Sequence, residues 1–186
     1  MKRWRKSIIC LALVVMVLPL AALADGTLGG DPDRLVPVEG LAAERLATRS
    51  GPATAYRETG TYRVEGESVR MVSLAYDESG VCWVQCEVLH GNKLRRLYTG
   101  LKRFDAATFD LGSVPEEHPL DYQARVIATS EALYGPGNGY GTYAELSVDK
   151  GQAVTVIALE HDYAQVEWTT SIQSYRAWVP VDTLRY

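Results

Sequence analysis

Short runs in which apolar and polar residues alternate follow one another along most of the chain. In SVRMVSLAY, residues 68–76, Val69 and Met71 lie on one side and Arg70 on the other. AVTVIALE, residues 153–160, is rich in β-branched residues, which are favoured in strands. Alternation with a period of two predicts strands, and no amphipathic stretch of helical length competes with it. The pattern therefore predicts an all-β fold.

Turn-forming residues separate these runs. Glycine, asparagine and aspartate are the residues that most often punctuate strands. The predicted turns are Glu65-Gly66, Asp77–Gly80, His90–Asn92, Asp149–Gly151 and His161-Asp162. Several short strands at such close spacing are typical of a small all-β barrel or sandwich.

The first 24 residues have a different character from the rest of the chain. Residues 2–6 carry four cations, residues 8–20 are apolar, and the segment ends in Ala-Leu-Ala at Ala24. These are the three parts of a secretory signal peptide, so we predict cleavage after Ala24 and a mature chain that begins at Asp25. The apolar run is shorter than the ~20 residues that span a bilayer. We expect a secreted or cell-wall-associated protein with no stable membrane span after cleavage.

Cleavage makes the protein strongly acidic. The signal peptide holds four cations and no acids, so its removal changes the formal net charge from −4 to −8. A field of that sign disfavours binding to nucleic acid.

The charge is unevenly distributed along the mature chain, with +2 over residues 44–105 and −4 over residues 121–186. Opposite charges of this kind would allow the two regions to dock. The cations of the first region either bind an anion or keep an edge strand and the segment after it soluble. They are Lys93, Arg95, Arg96, Lys102 and Arg103.

A Gly-Pro pair followed by a tyrosine occurs twice, 84 positions apart. The similarity around it extends over ~60 residues, which is longer than the ~20–50 of a solenoid unit, and therefore predicts two domains in tandem. The matched positions are Gly51 and Gly135, Pro52 and Pro136, Tyr56 and Tyr140, Gly66 and Gly151, Trp83–Glu87 and Tyr163–Glu167, and Arg103-Phe104 and Arg185-Tyr186.

The repeat and the composition divide the chain into five segments. Residues 106–120 are rich in proline and acidic residues and lack periodicity, as a linker does. The predicted segments are a signal peptide (1–24), an N-terminal linker (25–40), a first domain (41–105), a second linker (106–120) and a second domain (121–186).

The order of loops and strands in each copy resembles the bacterial SH3 family, SH3b. Ala47–Pro52 is similar to the family's hallmark segment, and Ala177–Pro180 is similar to its closing strand. The resemblance implies two small SH3-like barrels in tandem and a module that binds peptidoglycan, a wall glycan or an extended protein segment. There are two departures: Leu133-Tyr134 stands where Arg-Ser is usual, and Leu97–Gly100 replaces the Trp-Val-Pro strand.

Tyrosines of the loops, together with Trp83 of a predicted strand, are the candidate ligand-binding residues, since their rings could stack on a peptide or a sugar. Packing of the tyrosine rings within the fold remains open as the other interpretation. The candidates are Tyr56, Tyr62, Trp83, Tyr134, Tyr140 and Tyr143.

The loops themselves are predicted to have a structural role. Proline fixes φ, and glycine tolerates conformations that are closed to other residues. The residues assigned to this role are Arg49, Gly51, Pro52, Gly135 and Pro136.

The thiols and imidazoles do not predict catalysis. Cys82, Cys86 and His90 are four residues apart, but on a strand four residues span about 13 Å. That distance excludes a shared tetrahedral metal and a direct disulfide. Both cysteines lie on one face of the strand, alternating with Trp83 and Gln85, which favours buried cysteines, while an intermolecular disulfide or a bulged strand stays open. Because the usual catalytic and phosphate-binding motifs are also missing from the sequence, we predict no catalytic residue, metal or cofactor.

Two functions from different classes follow. The first is a non-enzymatic binding module that holds a ligand through its aromatic loops. The second is a structural protein of the cell envelope that self-associates or docks a partner enzyme or receptor. The loop tyrosines discriminate between them, because exposure in a common groove favours binding and burial between domains favours assembly.

Overall fold

The computed structural model describes residues 37–186; the predicted signal peptide and most of the N-terminal linker lie outside the described residues. The described chain is all-β, as predicted, and its only helices are three short 3-10 helices, Leu101–Arg103, Leu111–Ser113 and Val181–Thr183. The strands are β1 (Val38–Leu41), β2 (Leu46–Arg49), β3 (Glu58–Tyr62), β4 (Ser68–Tyr76), β5 (Cys82–His90), β6 (Lys93–Gly100), β7 (Tyr122–Val126), β8 (Ser130–Leu133), β9 (Thr142–Val148), β10 (Ala153–Glu160), β11 (Tyr163–Thr169), β12 (Ser174–Pro180) and β13 (Leu184–Arg185).

The strands form two antiparallel sheets, one in each half of the described chain. The order is β1-β4-β5-β6-β2-β3 in the N-terminal half (residues 38–104) and β13-β7-β10-β11-β12-β8-β9 in the C-terminal half (residues 122–185). Strands β7 to β12 repeat the order of β1 to β6 one for one. The repeat in the sequence is therefore a repeat of topology, and its first sheet begins at Val38, three residues before the predicted boundary.

Strand register identifies which residues of the two halves are equivalent. Gln85 pairs with Tyr98 between β5 and β6, and Gln165 pairs with Trp178 between β11 and β12. This register agrees with the predicted match between the segments around the two glutamines.

The end of the repeat differs from the sequence match. Gly66 and Gly151 donate equivalent backbone hydrogen bonds to Ala42 and Val126. Those two acceptor residues in turn pair with Phe104 and Leu184. The counterpart of Phe104 is therefore Leu184 and not Tyr186, because pairing to the first strand of each sheet sets the register here.

A β-bulge interrupts the predicted alternation in β4. Its pairing with β5 shifts between Met71 and Ser73, so that Val72 is the extra residue. Met71 and Leu74 consequently both enter the hydrophobic core, although strict alternation places them on opposite faces. The same shift occurs at the corresponding place in β10; such bulges increase the local twist of a strand.

The predicted turns are present, and four of their glycines adopt left-handed backbone conformations. The φ angles are 80° at Gly66, 76° at Gly80, 62° at Gly91 and 92° at Gly151. L-residues rarely adopt such angles, which explains glycine at these positions.

Strand β5 is buried on both faces from Trp83 to Val88. Val84 and Cys86 belong to the hydrophobic core. The opposite face carries polar residues, among them Gln85, and turns toward the C-terminal half. This second face positions the contacts between the two halves.

Candidate functional site

The aromatic residues predicted to bind a ligand separate into two regions. The five tyrosines lie at the junction between the two halves. Trp83 lies in a different place, beside an open groove of the N-terminal half.

Each Gly-Pro loop makes room for the tyrosine that follows it. A Cβ atom on Gly51 would stand 2.3 Å from Cδ1 of Tyr56, and one on Gly135 would stand 2.1 Å from Cδ1 of Tyr140. Neither glycine has a positive φ. Its role is therefore to leave space for the ring, and not to supply the backbone freedom expected from the sequence.

Each of these tyrosines reaches a glutamate of the opposite half. The Tyr56 hydroxyl donates a hydrogen bond to Oε2 of Glu167 at 2.6 Å. The Tyr140 hydroxyl donates to Oε1 of Glu87. Because Glu87 and Glu167 are equivalent positions, the two contacts are reciprocal.

An arginine of each half lies over the same rings. The guanidinium carbon of Arg96 is 5.4 Å from the centre of the Tyr140 ring, and that of Arg176 is 5.5 Å from the centre of the Tyr56 ring. A cation over an aromatic face within about 6 Å is attracted by the ring quadrupole. The Arg-Tyr-Glu contact is thus made twice across the junction.

Backbone hydrogen bonds join the same loops to the opposite sheet. Ser174 of β12 makes two with the Tyr56 loop, both 3.0 Å, and Leu94 of β6 makes two with the Tyr140 loop, 3.0 and 3.1 Å. Ser174 and Leu94 are themselves equivalent. The halves therefore associate as an isologous pair does, each presenting the same surface to the other.

The charges in the first of these contacts are almost completely buried. Side-chain exposure is 5% for Arg96 and 3% for Glu87, and their Nη2 and Oε1 atoms are 2.9 Å apart. Arg96 also pairs with Glu160 of the C-terminal half at 2.6 Å. Burial alone raises the pKa of Glu87, but Arg96, Tyr140 and Arg70 outweigh it, so the pKa of this carboxyl lies below its usual value.

The second contact recruits the segment predicted to be a linker. Arg176 pairs with Glu167 at 2.6 Å and also with Glu117. Glu117 in turn accepts a hydrogen bond from the hydroxyl of Tyr98 at 2.7 Å, and that hydroxyl accepts one from Gln85 at 2.8 Å. The sequence does not predict this network. Its one signal is that Gln85 and Glu87 recur in the repeat as Gln165 and Glu167.

The remaining tyrosines also pack at the junction. Tyr134 and Tyr143 stack with ring centres 3.8 Å apart. Arg95 lies 4.5 Å above the Tyr134 ring and donates a hydrogen bond to the hydroxyl of Tyr62 at 2.8 Å. Arg95 therefore links the two halves, as do Arg96 and Lys93, which donates to the carbonyl of Asn138. Three of the five predicted anion-binding cations are occupied by the chain's own C-terminal half.

The groove beside Trp83 has a volume of about 920 Å³ and is formed entirely by residues 47–111. It opens where β2 and β6 separate, since these strands share a single residue pair, Arg49 with Tyr98. Its other walls are formed by Thr54, strand β3, residues 81–83, the 3-10 helix Leu101–Arg103 and the segment 106–111.

The surface that lines the groove is mostly apolar. Trp83 is 8% exposed, and its indole N–H is fixed by a hydrogen bond of 3.1 Å to Oδ2 of Asp77. The other apolar residues of the lining include Val81, Leu101, Phe104, Phe109 and Leu111.

The two cysteines of the described chain are free. Cys86 is buried in the core, as predicted, and burial together with Glu87 raises the pKa of its thiol to about 12. Cys82 is only partly buried and lines the groove. The strand geometry keeps the two thiols apart.

Three cations stand at the groove, and they differ in their partners. Arg49 pairs with Glu58 at 2.7 Å and donates to the carbonyls of its own loop. Arg103 pairs with Glu44 at 3.1 Å. Lys102 is exposed and forms no ion pair with another described residue.

Within residues 37–186, no group of three His, Cys, Asp or Glu side chains is arranged to hold a metal ion. No helix in that range is long and apolar enough to cross a membrane. Compared with known proteins, the chain matches no protein-family model, and no curated protein is significantly similar to it.

Proposed function

We propose that this chain is an exported, non-enzymatic binding protein made of two SH3-like units, with one ligand site in the groove beside Trp83. The groove is the observation that carries the proposal. Its volume of about 920 Å³ falls in the range of ligand pockets, ~300–1,000 Å³, which are mostly apolar with a few polar groups.

The SH3-like assignment is supported by features that occur in both halves. Each has the same order of six strands, a Gly-Pro loop after its second strand and a 3-10 helix after its sixth. The tyrosine loops have a role that does not involve a ligand, because they hold the two units together. Because the tyrosine loops are engaged between the units, the groove is favoured over these loops as the ligand site.

The predicted signal peptide supports export, with a mature chain from Asp25 that is secreted or associated with the cell wall. The partners that fit this location are peptidoglycan or a peptide of an envelope protein. An extended chain segment suits an open groove with apolar walls.

A structural protein of the envelope is the second candidate. Burial of the loop tyrosines between the halves favours it, since assembly predicted that position. Because these loops already contact the opposite half of the same chain, association with another molecule would have to use a different surface.

Groove filling provides the test. Gly100 lines the groove in an extended conformation, and a Cβ there would contact only the Lys102 side chain, at 3.9 Å. The Gly100→Leu variant should therefore fold and occupy the site. The control is Ala128→Leu, in the exposed turn between β7 and β8.

Mature protein would be tested by co-sedimentation with purified peptidoglycan sacculi and by selection from a random-peptide phage library. We expect the parent protein to bind a ligand in one of the two assays. The Gly100→Leu variant should lose this binding, and the Ala128→Leu variant should keep it. Binding that survives Gly100→Leu would place the site elsewhere. If sacculi and peptides both fail to bind, the binding function is rejected, and sedimentation analysis of self-association tests the second candidate.

A further inference from the structure

The register of the two sheets shows which residues replace the groove cations in the C-terminal half. Arg49 pairs with Tyr98, and Leu133 pairs with the equivalent Trp178, so Leu133 is the counterpart of Arg49. The helices Leu101–Arg103 and Val181–Thr183 follow equivalent strands. Lys102 therefore corresponds to Asp182, and Arg103 to Thr183.

The two equivalent regions consequently differ in charge. Three cations in the N-terminal half are replaced by one apolar, one anionic and one neutral residue in the C-terminal half. The lining also holds Glu58 and Asp110, so its three cations and two carboxylates give the groove a formal charge of +1 on a mature chain whose formal net charge is −8. A local field opposite to that of the whole molecule favours an anionic partner.

Lys102 is the cation best placed to contact such a partner. The guanidinium groups of Arg49 and Arg103 already have carboxylate and carbonyl partners. Lys102 is exposed, lines the groove and has no ion pair within the described chain.

We propose, on the basis of the function proposed above, that the N-terminal groove alone binds ligand and that its ligand is an extended peptide in which acidic and apolar side chains alternate. A carboxylate of the peptide pairs with Lys102. The apolar side chains pack against Leu101 and Phe109.

The lining favours a peptide over a glycan. A sugar ring stacks on an open aromatic face, but Trp83 is only 8% exposed. Apolar side chains are open at the rim instead, with Val81 51% and Leu111 42% exposed. Such surfaces accept the side chains of an extended segment, every second one of which points the same way.

The probes are peptides of about eight residues, which extended span ~26 Å, with apolar residues at alternate positions and either Glu or Gln between them. A peptide array of both series identifies the Glu peptide that binds most tightly. Fluorescence anisotropy then compares its affinity with that of the peptide in which each Glu is replaced by Gln. We expect the Glu peptide to bind about tenfold tighter at about 50 mM salt, and the difference to shrink at about 500 mM.

Variants of Lys102 test its role. Lys102→Asp introduces the residue found at the equivalent position of the C-terminal half and should abolish the preference for Glu, while Lys102→Gln should reduce it. Because Lys102 is exposed, both variants should fold, which circular dichroism checks. Lys150→Asp makes the same charge change in an exposed turn of the C-terminal half and should keep the preference.

The outcomes separate this inference from the proposed function. If Glu and Gln peptides bind equally well and the Gly100→Leu variant binds neither, the preference for an acidic ligand is rejected, but the groove remains a binding site. Binding of oligogalacturonate, an anionic glycan, in place of the peptides overturns the choice of a peptide. Absence of binding to peptides, oligogalacturonate and sacculi rejects the inference and the proposed function together.

Discussion

At the scale of single residues, the Gly-Pro motif is explained by steric contact. A Cβ atom on Gly135 would stand 2.1 Å from the Tyr140 ring, a distance that no relaxed contact allows. We predict that Gly135→Ala displaces the ring and lowers the free energy of unfolding by about 1–3 kcal/mol, as overpacking does. Chemical denaturation followed by tryptophan fluorescence measures the change.

Gly139 provides the control for this prediction. It lies in the same loop, a Cβ there would meet nothing within 4 Å, and its φ is not positive. Gly139→Ala should leave stability unchanged or raise it by up to about 1 kcal/mol, because alanine restricts the unfolded chain. Equal stability of the Gly135 and Gly139 variants would contradict the steric explanation.

Glu87 should make the stability of the molecule depend on acid. Its pKa in the folded state lies below the usual value, so its contribution is complete above the unfolded pKa of ~4.3 and is lost as the pH falls through the lower folded value. We predict that Glu87→Gln lowers the free energy of unfolding by about 2–3 kcal/mol at neutral pH. The difference from the parent protein should shrink below about pH 4.

Denaturant titrations at a series of pH values test this prediction. The exposed carboxyl of Glu65 also has a lowered pKa and pairs with Arg45, but solvent weakens a surface pair. Glu65→Gln should therefore have little effect at any pH. A constant difference between the parent and Glu87→Gln across the pH range would show that the carboxylate charge does not stabilise the junction.

Most of the strands could be predicted from the sequence, because alternation and turn residues are local signals. The bulge at Val72 could not, since it depends on pairing with a neighbouring strand. The tyrosines were recognised as special, but their partners were not. Tyr56 contacts Glu167, a residue 111 positions away in the sequence. A local sequence pattern cannot predict a contact between residues so far apart.

At the scale of elements, the segment 106–120 is more than a connector. It forms one wall of the groove through Phe109 and Leu111. It also exchanges backbone hydrogen bonds with Leu74, which donates to the Pro115 carbonyl at 2.8 Å and accepts from the Glu117 N–H at 2.7 Å. Proline and acidic residues identified a segment without strands, but they did not reveal that it is fixed to β4.

The side chain of Glu117 should therefore matter for stability. It is 3% exposed and pairs with the buried Arg176. We predict that Glu117→Gln lowers the free energy of unfolding by about 2–3 kcal/mol, because a buried guanidinium loses one of its two charged partners. Thermal and urea denaturation measure this loss.

The adjacent Glu116 is exposed and gives a control with the same chemical change one residue away. Glu116→Gln should leave the stability nearly unchanged. If the two variants are equally stable, the segment behaves as the solvated linker that its composition predicts.

At the scale of the whole molecule, the reciprocal loops make each half depend on the other. The Tyr140 hydroxyl belongs to the C-terminal half, yet it bonds to Glu87 and Arg96 of the N-terminal half. The residues that line the groove all lie within residues 47–111, and Thr54 of the Tyr56 loop is one of them. The proposed ligand site therefore needs no side chain of the C-terminal half, although it shares the Tyr56 loop with the junction.

This dependence predicts that the two halves unfold as one cooperative unit. Tyr140→Phe leaves a buried carboxylate with one hydrogen bond fewer and should cost about 1–3 kcal/mol. Hydrogen exchange measured by mass spectrometry should then show the same loss of protection in β5 and in β11, because both exchange through global unfolding. Tyr122→Phe, on a residue that is 52% exposed, should change neither strand. If Tyr140→Phe weakens β11 alone, the halves open independently and the junction joins two units that are already stable by themselves.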